Sequence, residues 1–260
     1  MSQFYRMFSN RNASFDANGL ADILDASYTQ KSNKTEFLTK KGFAPSTLTY
    51  GNGECPRYWY MAFNGVEFVK SYDPYSVDNM QSGTDAHRRM QQNFAESGLE
   101  IECERELTYD DPPIRCFVDG IIKYHWKGKD VVVEIKTTRA EAFAYLAAKN
   151  EAREYQKMQL LIYMHIMGER YGAILYENKN DHKKLLIPVE MTAENKVKVE
   201  KAFAWMRMVR ANWEEQQLPV RPYRKNSRIC AGCPIKTACF AESDGIIELP
   251  ILDYTIEGKG

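Results

Sequence analysis

The sequence predicts an α/β fold in which a central mixed β-sheet is flanked by helices, and three observations support this prediction. First, the segments IECERELTY, IRCFVDGIIKYHW and DVVVEIKTT, at 101–109, 114–126 and 130–138, are rich in the β-branched and aromatic residues typical of strands. Second, the segment at 173–191, AILYENKNDHKKLLIPVEM, has the pattern of a second hairpin. Third, segments with apolar residues at helical spacing lie before, between and after these strands.

The helical segments are predicted from the spacing of apolar residues and from proline at the start of a helix. In chain order they are 16–28, an aromatic helix within 46–65 that begins near Pro56, 84–97, one long segment at 139–170, and a helix with Val199, Phe203, Met206 and Trp213 on one face. A chain of 260 residues can bury one substantial core. We therefore expect one elaborated domain.

The charge balance excludes a uniformly basic surface for nucleic acid. Lys plus Arg and Asp plus Glu each number 35, so the formal net charge is zero. One stretch of eight residues is either a local basic face or a solvated charged loop. Its cations are Arg221, Arg224, Lys225 and Arg228.

No apolar run approaches the roughly 20 residues that span a bilayer, so we expect no membrane partner. The first residues, MSQFYRMFSNRNASFD, lack the apolar core of a secretory signal, which predicts a cytoplasmic protein. Its six cysteines are then expected to be thiols or metal ligands rather than disulfides. No G-x4-G-K-[ST] motif occurs, so any DNA unwinding would come from a partner.

Asp119, Glu134 and Lys136 form a candidate active site on two neighbouring predicted strands. A spacing of two places Glu134 and Lys136 on one face of their strand, and the hairpin brings Asp119 beside them. Charged residues also alternate on exposed strands, but Glu134 follows three valines in a predicted central strand, where an unpaired charge is costly. Two carboxylates suit Mg²⁺ or Mn²⁺, and an ammonium can position or help deprotonate a water. The arrangement predicts phosphodiester hydrolysis.

Four motifs occur in the order found in a known family. They are GTDAHRRM with His87, VDG with Asp119, EIK with Glu134 and Lys136, and QLLIY with Gln159 and Tyr163. This order resembles the RecB-like branch of the PD-(D/E)XK nucleases, in the subgroup with an iron-sulfur cluster that includes the CRISPR-associated adaptation exonucleases. Apart from the resemblance, His87 is either a structural histidine or a metal ligand.

The resemblance covers roughly 46–239 and implies a restriction-endonuclease-like core. It implies a nuclease domain at 46–240, an N-terminal extension at 1–45 and a tail at 241–260, with the two arms joined at a metal cluster. The implied site has Asp119, Glu134, Lys136, Gln159 and Tyr163 in catalysis and His87, Asp119, Glu134 and Ile135 at the metal.

The implied activity is that of a divalent-metal DNA exonuclease or flap-type endonuclease. It would act on DNA ends or single strands in recombination, repair or replication. A helicase or recombination protein is the expected partner in trans. The alternatives are a catalytically degenerate module that binds DNA or a helicase, and a zinc-containing restriction-type endonuclease.

Four cysteines, Cys55, Cys230, Cys233 and Cys239, are candidates for one shared metal centre. Four thiolates can hold either Zn²⁺ or a [4Fe-4S] cluster, and the number of ligands does not distinguish them. The split of one plus three is similar to that of the cluster-containing nucleases, which favours iron-sulfur over structural zinc or plain thiols. Cys103 and Cys116 are expected to be core thiols.

The aromatic residues beside Cys55 have two interpretations. They are Tyr58, Trp59, Tyr60 and Phe63. They could stack on unpaired bases of a single strand, or they could be packing elements of the core.

Overall fold

A computed structural model describes residues 15–71, 74–126 and 128–256 of the chain. Residues 1–14 of the predicted extension and 257–260 of the predicted tail lie outside these ranges. Within them, no helix combines the length and the apolar character needed to cross a membrane.

The helices begin and end close to several of the predicted positions. They are α1 (Ala17–Ser32), α2 (Pro45–Leu48), α3 (Pro56–Phe63), α4 (Pro74–Glu96), α5 (Ala140–Lys149), α6 (Glu154–Met167), α7 (Ala193–Glu214), α8 (Arg228–Ala231) and α9 (Lys236–Ala241), with a 3₁₀ turn at Gly51–Glu54. Pro56 lies in the first turn of α3, where its missing N–H leaves no intrahelical bond unmade. Thr192 caps α7 by accepting the N–H of Asn195 at 3.1 Å.

The strands form a two-stranded sheet and a five-stranded sheet. β1 (Asn33–Phe37) pairs with β2 (Glu67–Ser71) in the smaller sheet. The larger sheet contains, in spatial order, β3 (Ile101–Tyr109), β4 (Ile114–Trp126), β5 (Lys129–Thr138), β6 (Tyr171–Asn178) and β7 (Lys184–Glu190). β5 and β6 are parallel and the other neighbours antiparallel, which confirms the predicted mixed sheet. The chain passes from β5 to β6 through α5 and α6, because parallel strands need a long crossover.

Different helices cover the two faces of the five-stranded sheet. On one face, α6 and α7 pack over a core that includes Val132 and Ile174. On the other face, Met90 of α4 packs against Val133 and Ile135. Successive residues of β5 therefore enter opposite layers, as the two-residue period of a strand requires.

The contact between α6 and the sheet is closest at Gly172 of β6. A Cβ at Gly172 would lie 2.7 Å from Met164 Sδ and 3.1 Å from the carbonyl oxygen of Val132. Glycine therefore lets α6 lie directly on the sheet. Polar side chains of α6 consequently come within hydrogen-bonding distance of β5.

Two helix predictions were wrong in extent. α4 begins at Pro74, ten residues before the predicted start of 84–97, because residues 75–83 form helix without a strong apolar face. The long helix predicted at 139–170 is two helices, because Asn150 adopts a left-handed conformation with φ 52° and ends α5. Arg153, in an extended conformation, then precedes α6.

Segments from both predicted arms reach the core. Phe43 is buried, and its carbonyl oxygen accepts the N–H of Arg115 in β4 at 3.2 Å. In the C-terminal segment, Leu252 is buried and its N–H donates to the carbonyl of Glu54 at 2.9 Å. The domain boundaries themselves remain a prediction.

The aromatic residues of α3 belong to the core. Tyr58, Trp59, Tyr60 and Phe63 are all buried. The indole N–H of Trp59 donates to the carbonyl of Gly53 at 2.7 Å, so its polar atom is satisfied internally. The packing interpretation is confirmed, and base stacking by these rings is wrong because their faces are not accessible.

Candidate active site

The pairing between β4 and β5 changes at the position of Asp119. Backbone pairing extends to Gly120 and Val133. One residue further, Asp119 Oδ2 accepts the backbone N–H of Ile135 at 2.7 Å. A carboxylate in place of a backbone acceptor separates the strands and fixes the orientation of the Asp119 side chain.

Glu134 places a second carboxylate at the same point, in the interior of the protein. Its side chain is only 2% exposed. Oε1 lies 2.5 Å from Lys136 Nζ and accepts Gln159 Nε2 at 2.7 Å. Oε2 is buried and has no hydrogen-bond partner among the residues that the structure describes. An oxygen buried without a partner is costly and is therefore available for a ligand.

The predicted pair on α6 lies at this site. Gln159 Oε1 accepts Lys136 Nζ at 3.3 Å, and Gln159 Nε2 donates to the hydroxyl of Tyr163 at 2.8 Å. Both α6 side chains are buried. Gln159 thus links the carboxylate of Glu134 to the ammonium of Lys136, with Tyr163 behind it.

His87 approaches from α4. Its Nδ1 lies 3.5 Å from Asp119 Oδ1. Beside them is an open cleft of about 610 Å³. The cleft is lined by Met80, Gly83, Thr84, His87, Arg88, Gln91, Glu104 and Asp119. The structure therefore brings the predicted residues His87, Asp119, Glu134, Lys136, Gln159 and Tyr163 together where the backbone pairing between β4 and β5 stops.

Gln91 and Glu104 are among the cleft residues that were not predicted. Gln91 Nε2 donates to Glu104 Oε1 at 2.7 Å and to the carbonyl oxygen of Asp119 at 2.9 Å. Glu104 has a φ of 53°, an unusual conformation for a residue other than glycine. Gln91 is four residues from His87 and shares its helix face, a signal that could have identified it. The sequence offers no comparable signal for Glu104.

The charges at the site shift several pKa values. Burial and the charge of Asp119 raise the pKa of Glu134 to about 7, although Lys136 and His87 oppose the shift. Burial lowers the pKa of Lys136, but the carboxylate of Glu134 outweighs it and the pKa is raised. Burial acts to lower the pKa of His87, but the hydrogen bond and the charge of Asp119 outweigh it and the pKa is raised. Such perturbed groups at a cleft are typical of catalytic sites.

The family profile of the PD-(D/E)XK nuclease superfamily matches residues 85–240, which include the whole five-stranded sheet and the residues His87, Asp119, Glu134, Lys136, Gln159 and Tyr163. The chain belongs to the PD-(D/E)XK nuclease superfamily. The predicted restriction-endonuclease-like fold, a mixed sheet flanked by helices, is thereby confirmed.

Solved structures share the fold of this superfamily member. An alkaline exonuclease from Laribacter hongkongensis, LHK-Exo, is 11% identical with a TM-score of 0.51, covering 74% of this chain and 95% of that chain. The structure of LHK-Exo in complex with dAMP is also 11% identical with a TM-score of 0.51, and the match covers 75% of this chain and 93% of that chain. The structure of SSO0001 is 16% identical with a TM-score of 0.45, and the match covers 85% of this chain and 96% of that chain. Comparison with curated protein sequences gives no significant match.

PD-(D/E)XK nucleases usually use Mg²⁺ or Mn²⁺, and the donor atoms of this site suit such ions. Within the described ranges, no three His, Cys, Asp or Glu side chains are arranged so that they could hold a metal ion. The unpartnered Glu134 Oε2 and the facing Asp119 Oδ1 and His87 Nδ1 are nevertheless donors that a hard divalent cation accepts. Ile135 has no ligating side-chain atom, so only its backbone oxygen could contribute.

The four candidate cysteine ligands come from two parts of the chain that meet in space. Cys55 directly precedes α3, whereas the others lie in or between α8 and α9. In space, α9 contacts α3, and α8 contacts the 3₁₀ turn that precedes Cys55. None of the four forms a disulfide.

Burial raises the pKa of two of these thiols. The pKa of Cys55 rises to about 12 and that of Cys233 to about 11. The N–H of Tyr58 donates to the carbonyl oxygen of Cys55 at 3.1 Å. Both thiols would have to lose a proton in order to bind a metal ion.

Arg57 is a fully buried cation next to this cluster. Its guanidinium donates to the carbonyls of Pro219 at 2.5 Å, Ser243 at 2.6 Å and Cys239 at 3.4 Å, and its Nε has no partner. In the part of the chain that the structure describes, no carboxylate pairs with Arg57. Arg221, one of the four cations assigned either to a local basic face or to a solvated charged loop, donates to the carbonyls of Cys239 and Ser243 and pairs with Asp244 at 3.2 Å. Among the described residues, the buried charge of Arg57 is thus met by backbone carbonyls.

Proposed function

We propose that this chain is a divalent-metal-dependent DNA nuclease with Asp119, Glu134 and Lys136 at its catalytic centre. The observation that carries the proposal is the buried Glu134 Oε2, which has no partner and lies beside the fixed carboxylate of Asp119 and the ammonium of Lys136. Burial of an unsatisfied carboxylate oxygen is explained by a ligand at that position.

The metal site would be held by His87, Asp119 and Glu134, with the backbone of Ile135. Mg²⁺ or Mn²⁺ bound there would polarise a phosphoryl oxygen and lower the pKa of a bound water. Asp119 is held ready by the N–H of Ile135. Glu134 is oriented by Gln159, so its second oxygen faces the site.

Lys136 would act as a fixed cation. Its raised pKa keeps the ammonium protonated at neutral pH. It can therefore donate to a phosphate oxygen or orient a water, and it offsets the charge that develops on the phosphate. Gln159 and Tyr163 would serve as positioning residues, because their hydrogen bonds fix Glu134 and Lys136.

The proposed substrate is DNA with free ends or single strands, and exonucleolytic cutting is favoured. The structural likeness to an alkaline exonuclease, whose structure has also been solved with dAMP, supports this choice. A role in recombination, repair or replication with a helicase partner in trans rests on the resemblance to RecB-like nucleases. A catalytically degenerate binding module is disfavoured by the presence of all three catalytic side chains.

The test is hydrolysis of end-labelled single-stranded, blunt duplex and circular DNA with Mg²⁺, Mn²⁺ or EDTA. Asp119→Ala and Glu134→Ala should abolish cleavage without unfolding the protein, and Lys136→Ala should impair it severely. Glu190→Ala removes an exposed carboxylate on β7 of the same sheet and should cut normally. Near wild-type activity of either carboxylate variant would refute the assignment, and cutting of circular duplex at fixed sites would favour the restriction-type alternative.

We further propose that Cys55, Cys230, Cys233 and Cys239 hold a [4Fe-4S] cluster, with structural zinc as the alternative. The contacts of α9 with α3 and of α8 with the 3₁₀ turn before Cys55, together with the buried charge of Arg57, support a four-thiolate anion. Protein purified anaerobically should be brown, absorb broadly near ~400 nm and contain iron and sulfide. Colourless protein with one zinc per chain would show that the four cysteines hold zinc instead of the cluster.

A further inference from the structure

An exposed tyrosine and a half-buried tyrosine form a ring pair at the edge of the candidate active site. The ring centroids of Tyr50 and Tyr155 lie 5.1 Å apart, with the planes inclined by 46°. Tyr50 is 64% exposed, so the pair is not part of the core. Tyr50 directly precedes the 3₁₀ turn and Tyr155 lies in the first turn of α6, so two distant parts of the chain hold the pair together.

The first turn of α6 directs Tyr155 toward the catalytic side chains. Tyr155 and Gln159 are four residues apart and therefore share a helix face. Gln159 in turn contacts both Glu134 and Lys136.

Arg153 adds a positive charge to this ring pair. Its guanidinium donates to the hydroxyl of Tyr155 at 3.2 Å, and its backbone N–H donates to the hydroxyl of Tyr176 at 3.3 Å. The side chain is exposed, and no carboxylate in the described ranges is paired with it. An arginine beside an exposed ring is the combination that binds a base and its phosphate together.

We propose that Tyr50, Tyr155 and Arg153 form a stacking platform for an unpaired base next to the scissile phosphate. The platform makes single-stranded DNA, or the single-stranded tail of an end, the substrate class of the site, and the inference rests on the proposed nuclease function. Any base can stack on an exposed ring, so the platform has no sequence preference. A base inside a duplex has both faces covered and must first be unstacked.

The test measures binding without cleavage, with Ca²⁺ in place of Mg²⁺ and the oligonucleotide checked for intactness afterwards. The probes are an oligo-dT strand carrying 2-aminopurine at each position in turn, and a blunt duplex of equal length. Tyr50→Ala and Tyr155→Ala should weaken single-strand binding by roughly 5- to 100-fold. They should also abolish the quenching of 2-aminopurine at the stacked position and leave duplex affinity unchanged.

Three controls separate stacking from a loss of fold. Tyr155→Phe keeps the ring and should retain most of the affinity, although it loses the bond from Arg153. Tyr145→Ala removes a tyrosine of α5 that is also 64% exposed and should behave as wild type. An abasic site at the stacked position should weaken wild-type binding by the same factor as Tyr155→Ala, and should have no further effect on that variant.

The platform proposal would be overturned if both alanine variants kept the single-strand affinity and the 2-aminopurine fluorescence of the wild type. In that case an abasic site would also weaken their binding as much as it weakens binding by the wild type. If the wild type hydrolyses DNA and these variants cut single strands equally well, the platform fails and the nuclease proposal stands. If the variants lose single-strand binding while the wild type hydrolyses no DNA, the nuclease proposal fails and the platform stands. Thermal melting of each variant establishes that it is folded.

Discussion

Gln159 Nε2 on α6 donates to Glu134 Oε1 on β5 at 2.7 Å, and both side chains are buried. The oxygen of the same amide group, Gln159 Oε1, accepts a hydrogen bond from Lys136 Nζ at 3.3 Å. One neutral side chain therefore fixes both charged members of the site. Its position depends on the close packing of α6 against the sheet at Gly172.

Gln159→Ala is expected to lower kcat by about 10- to 100-fold with little change in KM, because Glu134 and Lys136 lose their orienting contact. Single-turnover hydrolysis of saturating DNA measures this effect. The matched control is Gln156→Ala, which removes a buried amide of the same helix that binds the hydroxyl of Tyr176 and does not touch Glu134. Equal losses in both variants would show that helix stability, and not orientation, limits activity.

Glu177→Gln is expected to destabilise the protein at neutral pH. Burial acts to raise the pKa of Glu177, but the hydrogen bonds of Arg89 and His182 and nearby cations lower it to about 2. Since the ordinary value is 4.5, the carboxylate stabilises the fold fully above about pH 5 and progressively less as the pH falls toward 2. The contribution at pH 7 is at most about 3 kcal/mol.

Urea unfolding at pH 7 and pH 3 measures this contribution. The difference between Glu177→Gln and wild type should be large at pH 7 and smaller at pH 3. Glu190→Gln, which loses an exposed pair with Arg170, should change stability by less than about 1 kcal/mol. A pH-independent difference for Glu177→Gln would contradict the assigned pKa.

Cys233→Ser is expected to remove the proposed metal centre and lower the melting temperature by at least about 5 °C, because such a centre would tie Cys55 to the C-terminal cysteines across the nuclease core. Hydrolysis measured well below the melting temperature should persist, since a fully thiolate-ligated cluster has no open position for a water. Full stability together with complete loss of cleavage would instead indicate redox control or a direct catalytic role.

The controls for this variant are the two cysteines outside the cluster. Cys116 is buried, as predicted for a core thiol, whereas Cys103 of β3 is only half-buried, contrary to that prediction. Cys103→Ser should therefore retain the colour, the melting temperature and the activity. Loss of the colour in Cys103→Ser would contradict the proposed ligand set.

Asn150→Ala is expected to cost about 1 kcal/mol, because its φ of 52° is left-handed and strained for a residue with a β-carbon. Asn150→Gly should be neutral or slightly stabilising. Thermal unfolding of both variants measures the difference. Asn180→Ala, at an exposed turn residue without positive φ, is the control and should have no effect.

Local periodicity allowed much of the site to be predicted. Glu134 and Lys136 share a strand face because their spacing is two, and a short hairpin places Asp119 on the strand next to β5. Gln159 and Tyr163 share a helix face because their spacing is four. These relationships involve residues close in sequence, so the pattern alone fixes their geometry. The RecB-like branch and the iron-sulfur cluster, by contrast, remain predictions from resemblance.

Only the tertiary structure decided contacts between residues far apart in the chain. The break at Asn150 escaped prediction because one left-handed residue costs little and the apolar pattern continues on both sides. The pairing of Tyr50 with Tyr155 depends on where the 3₁₀ turn meets α6, and the burial of Arg57 depends on carbonyls supplied by the C-terminal segment. Side-chain periodicity carries no information about which distant surfaces meet, because that choice is made by the packing of whole elements into one core.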